Sequence, residues 1–296
     1  MPYLFIAFLT PFFNALAVII ESVLSNNILK RQTTMIFYIS LMNAVFLPLI
    51  LIFGQPTIPS VECIILYTIL GLLGAIYLYP YYTAMKVIDT SIVAALFSLG
   101  EVIVPILCYF LLDEILNLHQ YIGFTIIIMA SVALSIKGTK IPKLNRAFYY
   151  MVMTSLVLSF RIVLVKYVIT LDGNWINMVI YPNLISGILP FLLLFSPCCR
   201  KDIIKNFPPY LTKFKLFAIN EFLCFLGIAC SVYGLSKLSP VVSSSIDATQ
   251  PIFLLSISGL LVYFFNFKLK EKISRKILMK KLFCFVLIIL GVILVV

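Results

Sequence analysis

Two charged residues stand deep inside long apolar stretches of the chain, Glu101 and Arg161. A charged side chain near the middle of a membrane helix costs about 3 kcal/mol or more, so it usually faces water or a partner and marks a functional site. Glu101 shares one helical face with Ala94, Ser98 and Pro105, which leaves space beside its carboxyl group. We therefore expect Glu101 to take up and release a proton. A fixed ion pair between Glu101 and Arg161 accounts for the same two residues equally well.

The guanidinium of Arg161 stays charged at any physiological pH. It therefore requires an anion, which is Glu101, another carboxylate or an acidic group on a bound molecule. Lys166 lies in the same apolar stretch but closer to its end, and its long side chain can reach the membrane surface. Arg161 is thus the better candidate for recognising a ligand.

Polar residues recur at helical spacing on several other apolar stretches, as Thr10, Asn14 and Glu21 do on the first. Hydrogen bonds between packed helices explain any single one of these residues at least as well as a ligand does. Taken together, they predict a common polar lumen. The predicted ligand-binding residues are Asn14, Asn43, Tyr77, Tyr81, Ser98, Glu101, Arg161, Asn220, Asp247 and Gln250.

The motifs of common enzyme sites are absent from the sequence. The chain has one histidine, His119, so a metalloprotease H-E-x-x-H motif is impossible, and no glycine-rich nucleotide-binding loop is present. The cysteines have no C-x-x-C spacing, so neither a zinc site nor a disulfide framework is expected. No selectivity filter of a channel is visible. The sequence predicts no enzyme, metal or cofactor, and a membrane transferase built from scattered carboxylates is the alternative.

The elements that carry these residues are long apolar segments. Hydrophobic residues make up 62% of the chain and the mean hydropathy is +1.13, whereas about half the residues of a soluble domain are apolar. A helix needs roughly 20 mostly apolar residues to cross a bilayer, and a backbone in lipid must satisfy its hydrogen bonds internally. We therefore predict an all-α membrane protein with ten transmembrane helices. The predicted spans are Tyr3–Leu24, Met35–Phe53, Cys63–Tyr82, Ile92–Leu112, Tyr121–Ile136, Ala147–Ile169, Asn177–Phe195, Leu216–Tyr233, Val242–Phe265 and Leu282–Val296.

The basic residues alternate with these segments. Nearly all Lys and Arg lie in the gaps that follow odd-numbered segments, above all 137–146, 200–215 and 268–281. The positive-inside rule places those gaps in the cytoplasm and both termini outside. The net charge of +11 suits anionic lipid headgroups better than nucleic acid. We therefore expect a multi-pass protein of the plasma membrane or an internal membrane that binds no nucleic acid.

The two halves of the chain repeat each other. The stretch Tyr82–Lys86 recurs as Tyr233–Lys237, each at the end of the third helix of its half, and small residues follow both. Two five-helix units result, residues 1–140 and 141–296. Because five is odd, the second unit enters the membrane from the opposite side, and such inverted repeats are typical of secondary transporters with a midplane cavity. A duplication that merely builds a stable bundle is the alternative.

The same stretches also resemble a known family. The relevant motifs are Tyr82-x-x-Met85-Lys86, Ser91, Ala94-Ala95, Ser98-Leu99-Gly100-Glu101, Leu111-Leu112-Asp113-Glu114, Gly123, Tyr233 to Lys237 and Gln250-Pro251. With its motifs in this order, the chain is similar in both halves to EamA-like transporters of the drug/metabolite transporter superfamily. It departs from the family at Phe264-Phe265-Asn266, where an acidic residue would stand. Family members usually keep both termini in the cytoplasm, opposite to the charge pattern, so the absolute orientation stays open.

The repeats and the resemblance together imply two inverted EamA-like five-helix repeats and secondary active transport of small polar metabolites. Transport would use alternating access through a central cavity, with Glu101 coupling it to protons. A nucleotide-sugar or phosphorylated-metabolite exchanger is the alternative, motivated by Arg161 and Lys166. The expected partners are a small polar substrate, anionic in the exchanger alternative, and the lipid bilayer, with the chain as a monomer or homodimer.

Overall fold

The computed structural model of the chain describes residues 2–87, 93, 96–97, 103–135, 146–265 and 275–295. These ranges are helical and contain no β-strand. The predicted all-α class is therefore confirmed. Ser98 and Glu101, two of the predicted ligand-binding residues, lie outside the described residues.

The first half contributes six described helices. Ser60 starts the third of them, because its side-chain oxygen accepts a hydrogen bond from the backbone N–H of Cys63 at 3.3 Å. Asp113, with φ of 53°, ends the fifth in a left-handed conformation. The helices are α1 (Pro2–Val23), α2 (Gln32–Phe46), α3 (Val61–Ile76), α4 (Leu78–Met85), α5 (Val104–Leu112) and α6 (Leu118–Ser135).

The second half contributes eight described helices. Asn174 starts the second of them by accepting a hydrogen bond from the backbone N–H of Ile176 at 3.0 Å, and Gly173 before it takes a positive φ of 72°. The helices are α7 (Arg146–Asp172), α8 (Trp175–Ile188), α9 (Pro197–Lys205), α10 (Phe207–Thr212), α11 (Phe214–Lys237), α12 (Pro240–Asp247), α13 (Gln250–Phe265) and α14 (Arg275–Val295).

Two predicted spans are broken where the sequence analysis expected continuous helices. The break between α3 and α4 lies at Tyr77, just before Pro80, and the break between α12 and α13 follows Asp247, just before Pro251. Proline has no backbone N–H, and its ring clashes with the carbonyl four residues earlier. Those carbonyls belong to Ile76 and Asp247, the last residues of α3 and α12. The prolines thus explain both breaks.

Six segments are long and apolar enough to cross a membrane, counted over the described residues alone. Six of the ten predicted spans coincide with them, while the other four fall on shorter helices or partly on residues outside the described ranges. The chain is a multi-pass integral membrane protein. The six segments are Tyr3–Ile28, Gln32–Ile52, Val61–Met85, Arg146–Asp172, Trp175–Phe195 and Phe214–Lys237.

The helices pack in pairs that join the two halves of the chain. Helix α1 packs along α11 and also contacts α12 and α13, while α7 packs against α3, α4 and α5. Small residues permit the close approach of α1 and α11: a Cβ atom on Gly234 would lie 3.3 Å from the Cβ of Ala7. Helix α2 contacts α8 and α11, and α3 contacts α8. Each half therefore folds mainly against the other half.

Helices α6 and α14 form a separate antiparallel pair that meets at two glycines. A Cβ on Gly123 would lie 2.6 Å from the carbonyl oxygen of Gly291, and a Cβ on Gly291 would lie 2.7 Å from that of Gly123. Near the same point the amide of Gln120 donates a hydrogen bond to the carbonyl of Val295 at 3.2 Å. The absence of both side chains lets the two backbones touch.

Helices α9 and α10 fill the basic gap between the seventh and eighth predicted spans. The sequence analysis counted this gap as a connection, but Pro208 and Pro209 stand in the first turn of α10, where a missing N–H costs nothing. Helix α9 is held against α2 by an ion pair between Arg31 and Asp202. The Tyr38 hydroxyl also donates a hydrogen bond to the carbonyl of Ile203 at 2.7 Å.

Replacing Tyr38 by phenylalanine should loosen this contact. The variant loses one buried hydrogen bond, worth about 1 kcal/mol, while the ring can still stack on Tyr210, with ring centroids 4.2 Å apart. We expect the melting temperature of the purified protein to fall by roughly 2–4 °C. The matched control is Tyr79→Phe, because Tyr79 is 51% exposed. Equal melting temperatures for the two variants would show that the Tyr38 bond adds no stability.

Candidate functional site

A cavity of about 280 Å³ lies between the helices of the two halves. It is close to the lower end of the size range of small-molecule sites. Its walls come from α1, α4, α5, α7, α11, α12 and α13, and many of its lining side chains are polar. The polar lining residues are Thr10, Asn14, Glu21, Tyr77, Tyr81, Ser155, Ser159, Arg161, Cys224, Ser231, Ser244, Asp247 and Gln250.

Helical spacing explains why each wall presents several of these side chains to the cavity. Residues three and four apart share one face of a helix, and α11 lines the cavity with such a series from Cys224 to Leu235. At 1.5 Å per residue that series extends roughly 16 Å along the helix, about half the thickness of the hydrocarbon core. The breaks at Tyr77 and Asp247 bring the ends of α3 and α12 to the same cavity.

Arg161 stands on the α7 wall of the cavity. Its Nε atom is buried and has no hydrogen-bond partner among the described residues. Gly74 lies opposite, where an added Cβ would be 3.9 Å from Nε. Within the described ranges no carboxylate forms an ion pair with Arg161, and the predicted pair with Glu101 falls on a residue that is not described. Part of this guanidinium is therefore left available for a ligand.

Glu21 lies at the opposite end of α1 from the N-terminus and is 7% exposed. Its two carboxylate oxygens accept hydrogen bonds from the Tyr81 hydroxyl at 2.6 Å and the Tyr82 hydroxyl at 2.9 Å. Since Tyr81 and Tyr82 belong to α4, these bonds connect α1 to α4 at one end of the cavity.

Glu221 stands directly behind Glu21, on α11, and is 1% exposed. Its Oε1 accepts a hydrogen bond from the Asn220 amide at 2.7 Å, and the side chain of Asn43 on α2 lies near it. The carboxylates of Glu21 and Glu221 and the sulfur of Cys224 offer ligand atoms within 4.8 Å of one another. Three such groups have the spacing of a metal site. Both oxygens of Glu21, however, already accept hydrogen bonds from tyrosine hydroxyls.

The structure gathers most of the predicted ligand-binding residues at this cavity. Asn14, Tyr77, Tyr81, Arg161, Asp247 and Gln250 line it. Asn43 and Asn220 do not line the cavity but lie near Glu221, to which the Asn220 amide donates a hydrogen bond.

Sequence reasoning missed Glu221 and Tyr82, and it counted Glu21 only as part of a polar stripe. It also missed Ser155 and Ser159 on the α7 wall. Glu221 lies inside a predicted span, so the rule that singled out Glu101 applied equally to it.

Lys166 does not line the cavity. Its ammonium group donates a hydrogen bond to the carbonyl oxygen of Leu235 at 2.9 Å, near the end of α11. A cation beside the last carbonyls of a helix is favourable, because those groups have no partner within the helix. The second basic residue of this stretch therefore has a structural partner.

Comparison with known proteins places the chain among membrane transporters. Residues 1–136 match the EamA-like transporter family. A solved crystal structure with 16% sequence identity superposes with a TM-score of 0.63, covering 98% of this chain and 97% of that one, which shows a shared fold. None of the curated proteins compared with the chain matches it. The first 136 residues of this membrane protein thus match the EamA-like transporter family, which belongs to the drug/metabolite transporter superfamily.

Proposed function

We propose that the protein is a secondary active transporter that carries small polar metabolites by alternating access through the cavity. The observation that carries the proposal is a cavity between membrane helices whose walls hold Arg161, with an unpartnered Nε, opposite many polar groups. A buried cation of this kind is costly unless an anion reaches it. A carboxylate or similar group on the substrate would meet that requirement.

We also propose that ten helices form two inverted five-helix repeats, residues 1–140 and 141–296. The helix contacts support this arrangement, because they occur in pairs that a twofold axis would exchange. The axis would exchange the contact of α1 with α11 for the contact of α7 with α3 and α4. It would likewise exchange the contact of α2 with α11 for the contact of α8 with α3. The same axis would map each of three further contacts onto itself: α2 with α8, α5 with α12 and α6 with α14.

The exchange of nucleotide sugars or phosphorylated metabolites has less support. That alternative was motivated by two basic residues, yet Lys166 does not line the cavity and its ammonium group donates its hydrogen bond to the carbonyl oxygen of Leu235. The described lining holds Glu21 and Asp247 in the same cavity as the single guanidinium of Arg161. Since a doubly charged phosphate would be repelled by these carboxylates if they are ionised, we favour substrates with at most one strongly acidic group.

Filling the cavity should stop transport. In Ser231→Phe an aromatic ring would occupy a large part of the 280 Å³, so we expect the variant to fold but to lose countertransport in proteoliposomes. The matched control is Ser256→Phe, because Ser256 is exposed on α13. The assay measures exchange of a radiolabelled solute against a panel of amino acids, nucleobases, nucleotide sugars and organic phosphates.

Three results would count against the proposal. Exchange by the Ser231→Phe variant at the rate of the control would mean that the cavity is not the transport route. If the wild-type protein exchanges no solute of the panel and no solute raises its melting temperature, the protein is a membrane scaffold. Chemical conversion of a solute would point to a membrane transferase instead.

A further inference from the structure

Two carboxyl groups, those of Glu21 and Glu221, lie at the end of the cavity and have no part in the proposed binding of a substrate to Arg161. Glu21 and Glu221 come from two packed helices, α1 and α11, and are both almost completely buried. Two like charges this close in a medium of low dielectric constant cannot both be ionised cheaply, so such pairs share a proton or bind a cation. No basic side chain of the described residues forms an ion pair with either of them.

A buried hydrogen-bond acceptor without a partner in the described part of the chain lies beside the two carboxyl groups. It indicates whether the pair holds a proton or a metal ion. Asn220 is 0% exposed and its Nδ2 donates to Glu221, yet its Oδ1 has no hydrogen-bond partner among the described residues. Leaving a buried acceptor unsatisfied is unfavourable. A protonated carboxyl group has an O–H to donate, whereas an ionised one can only accept. One proton on the pair would therefore supply the donor that the Asn220 amide lacks.

A metal ion fits this site less well than a proton. Cations such as Na⁺, Ca²⁺ or Zn²⁺ need several ligand atoms with free lone pairs at short distances. Both oxygens of Glu21 accept hydrogen bonds from tyrosine hydroxyls, and Oε1 of Glu221 accepts one from the Asn220 amide. These donors would have to turn away before a metal could bind.

The hydrogen bonds of Glu21 also connect the site to the helix movements that transport requires. Glu21 lies on α1, which packs with α11, while Tyr81 and Tyr82 lie on α4, which packs with α7. Alternating access requires groups of helices on either side of the cavity to move relative to each other. Such a movement would remove two donors from Glu21 and so change how strongly the pair holds its proton.

Other ionisable groups around the pair complete the electrostatic picture. Tyr77, Tyr81 and Tyr82 face it from the α4 side, and Cys224 faces it from α11. Arg161 on α7 and Asp247 at the end of α12 line the same cavity.

We propose that Glu21 and Glu221 together hold one proton and that this proton is the ion that drives transport. The assignment rests on the transport function proposed above and adds a site to the predicted role of Glu101. The proton enters from the side where its concentration is higher, binds to the pair with its O–H donated to Asn220, and leaves to the other side after the helices have moved. No covalent bond other than the O–H bond forms or breaks.

Infrared spectroscopy of the purified full-length protein tests the proton without requiring a substrate. A protonated carboxyl group has its own C=O stretching band, separate from that of a carboxylate. We expect a part of this band at neutral pH to be lost in Glu221→Gln and in Glu21→Gln. Glu62→Gln should leave it unchanged, because Glu62 is exposed in the first turn of α3. Identical bands in all four proteins would overturn the proposal.

Transport in proteoliposomes then tests the coupling. We expect a pH gradient to accelerate solute uptake by the wild-type protein and by Glu62→Gln, but not by Glu221→Gln. If Glu221→Gln responds to the gradient like the wild type, the pair is not the coupling site although the protein transports. If a Na⁺ gradient at uniform pH drives uptake instead, the driving ion is not a proton. If no protein transports any solute while the infrared difference persists, the transport function fails and the shared proton stands.

Discussion

Replacing Arg161 by glutamine is expected to abolish most substrate binding while the protein stays folded. Hydrogen bonds to a charged group contribute about 1.5–3 kcal/mol, which corresponds to roughly a 10- to 100-fold loss of affinity. The buried Nε of Arg161 has no partner among the described residues to lose, so removing the charge should not destabilise the fold. Ligand-induced thermal stabilisation and the half-saturating solute concentration in countertransport measure the effect.

The control for Arg161 is the same substitution at the surface. Arg200 lies exposed in α9, and Arg200→Gln should leave both affinity and exchange rate unchanged. If Arg161→Gln binds its solutes as the wild type does, the substrate has no contact with this guanidinium. A marked fall in the melting temperature without ligand would instead identify Arg161 as one half of a structural ion pair, with Glu101 as the predicted partner.

The second large effect is expected at the contact of α6 with α14. In Gly291→Leu the first side-chain carbon would lie 2.6 Å from Ile127 Cγ1 and 2.7 Å from the carbonyl oxygen of Gly123. A backbone oxygen cannot turn away as a side chain does, so the two helices must separate. Overpacking of a close contact costs about 1–3 kcal/mol, and occasionally more. We expect a melting temperature lower by several degrees and a smaller monodisperse fraction after purification.

Gly259 offers a matched control for this experiment. It also lies within a helix, α13, but an added Cβ would meet nothing within 4 Å. Gly259→Leu should therefore purify and melt like the wild type. Equal behaviour of the two variants would mean that α6 and α14 do not touch at their glycines in the folded protein.

Much of the fold could be predicted because the relevant forces act locally along the chain. A long, mostly apolar stretch such as 147–169 must form a helix in lipid, whatever its neighbours are. The match of residues 1–136 to EamA-like transporters confirms, for the first half of the chain, the resemblance that Tyr82-x-x-Met85-Lys86 and the motifs up to Gly123 indicated. The breaks at Tyr77 and Asp247 were harder to predict, because proline often occurs inside membrane helices without ending them.

The candidate site was only partly predictable. The polar residues of α1, such as Asn14, form a stripe that the sequence displays directly, and the structure places that stripe at the cavity. The role of Glu101 stays a prediction, because Glu101 lies outside the described residues. The spacing of residues along the chain could not reveal that the partner of Lys166 is the carbonyl of Leu235.

The sequence by itself thus determined the class of protein, six of the membrane-crossing helices and the residues that are too polar for lipid. Only the tertiary structure decided which of those residues meet. Glu21 and Glu221 are far apart in the chain, and they come within 4.8 Å because Gly227 and Gly234 let α11 pack along α1. The physical reason is that hydropathy is a property of each segment alone, whereas the pairing of two buried carboxyl groups depends on how whole helices fit together.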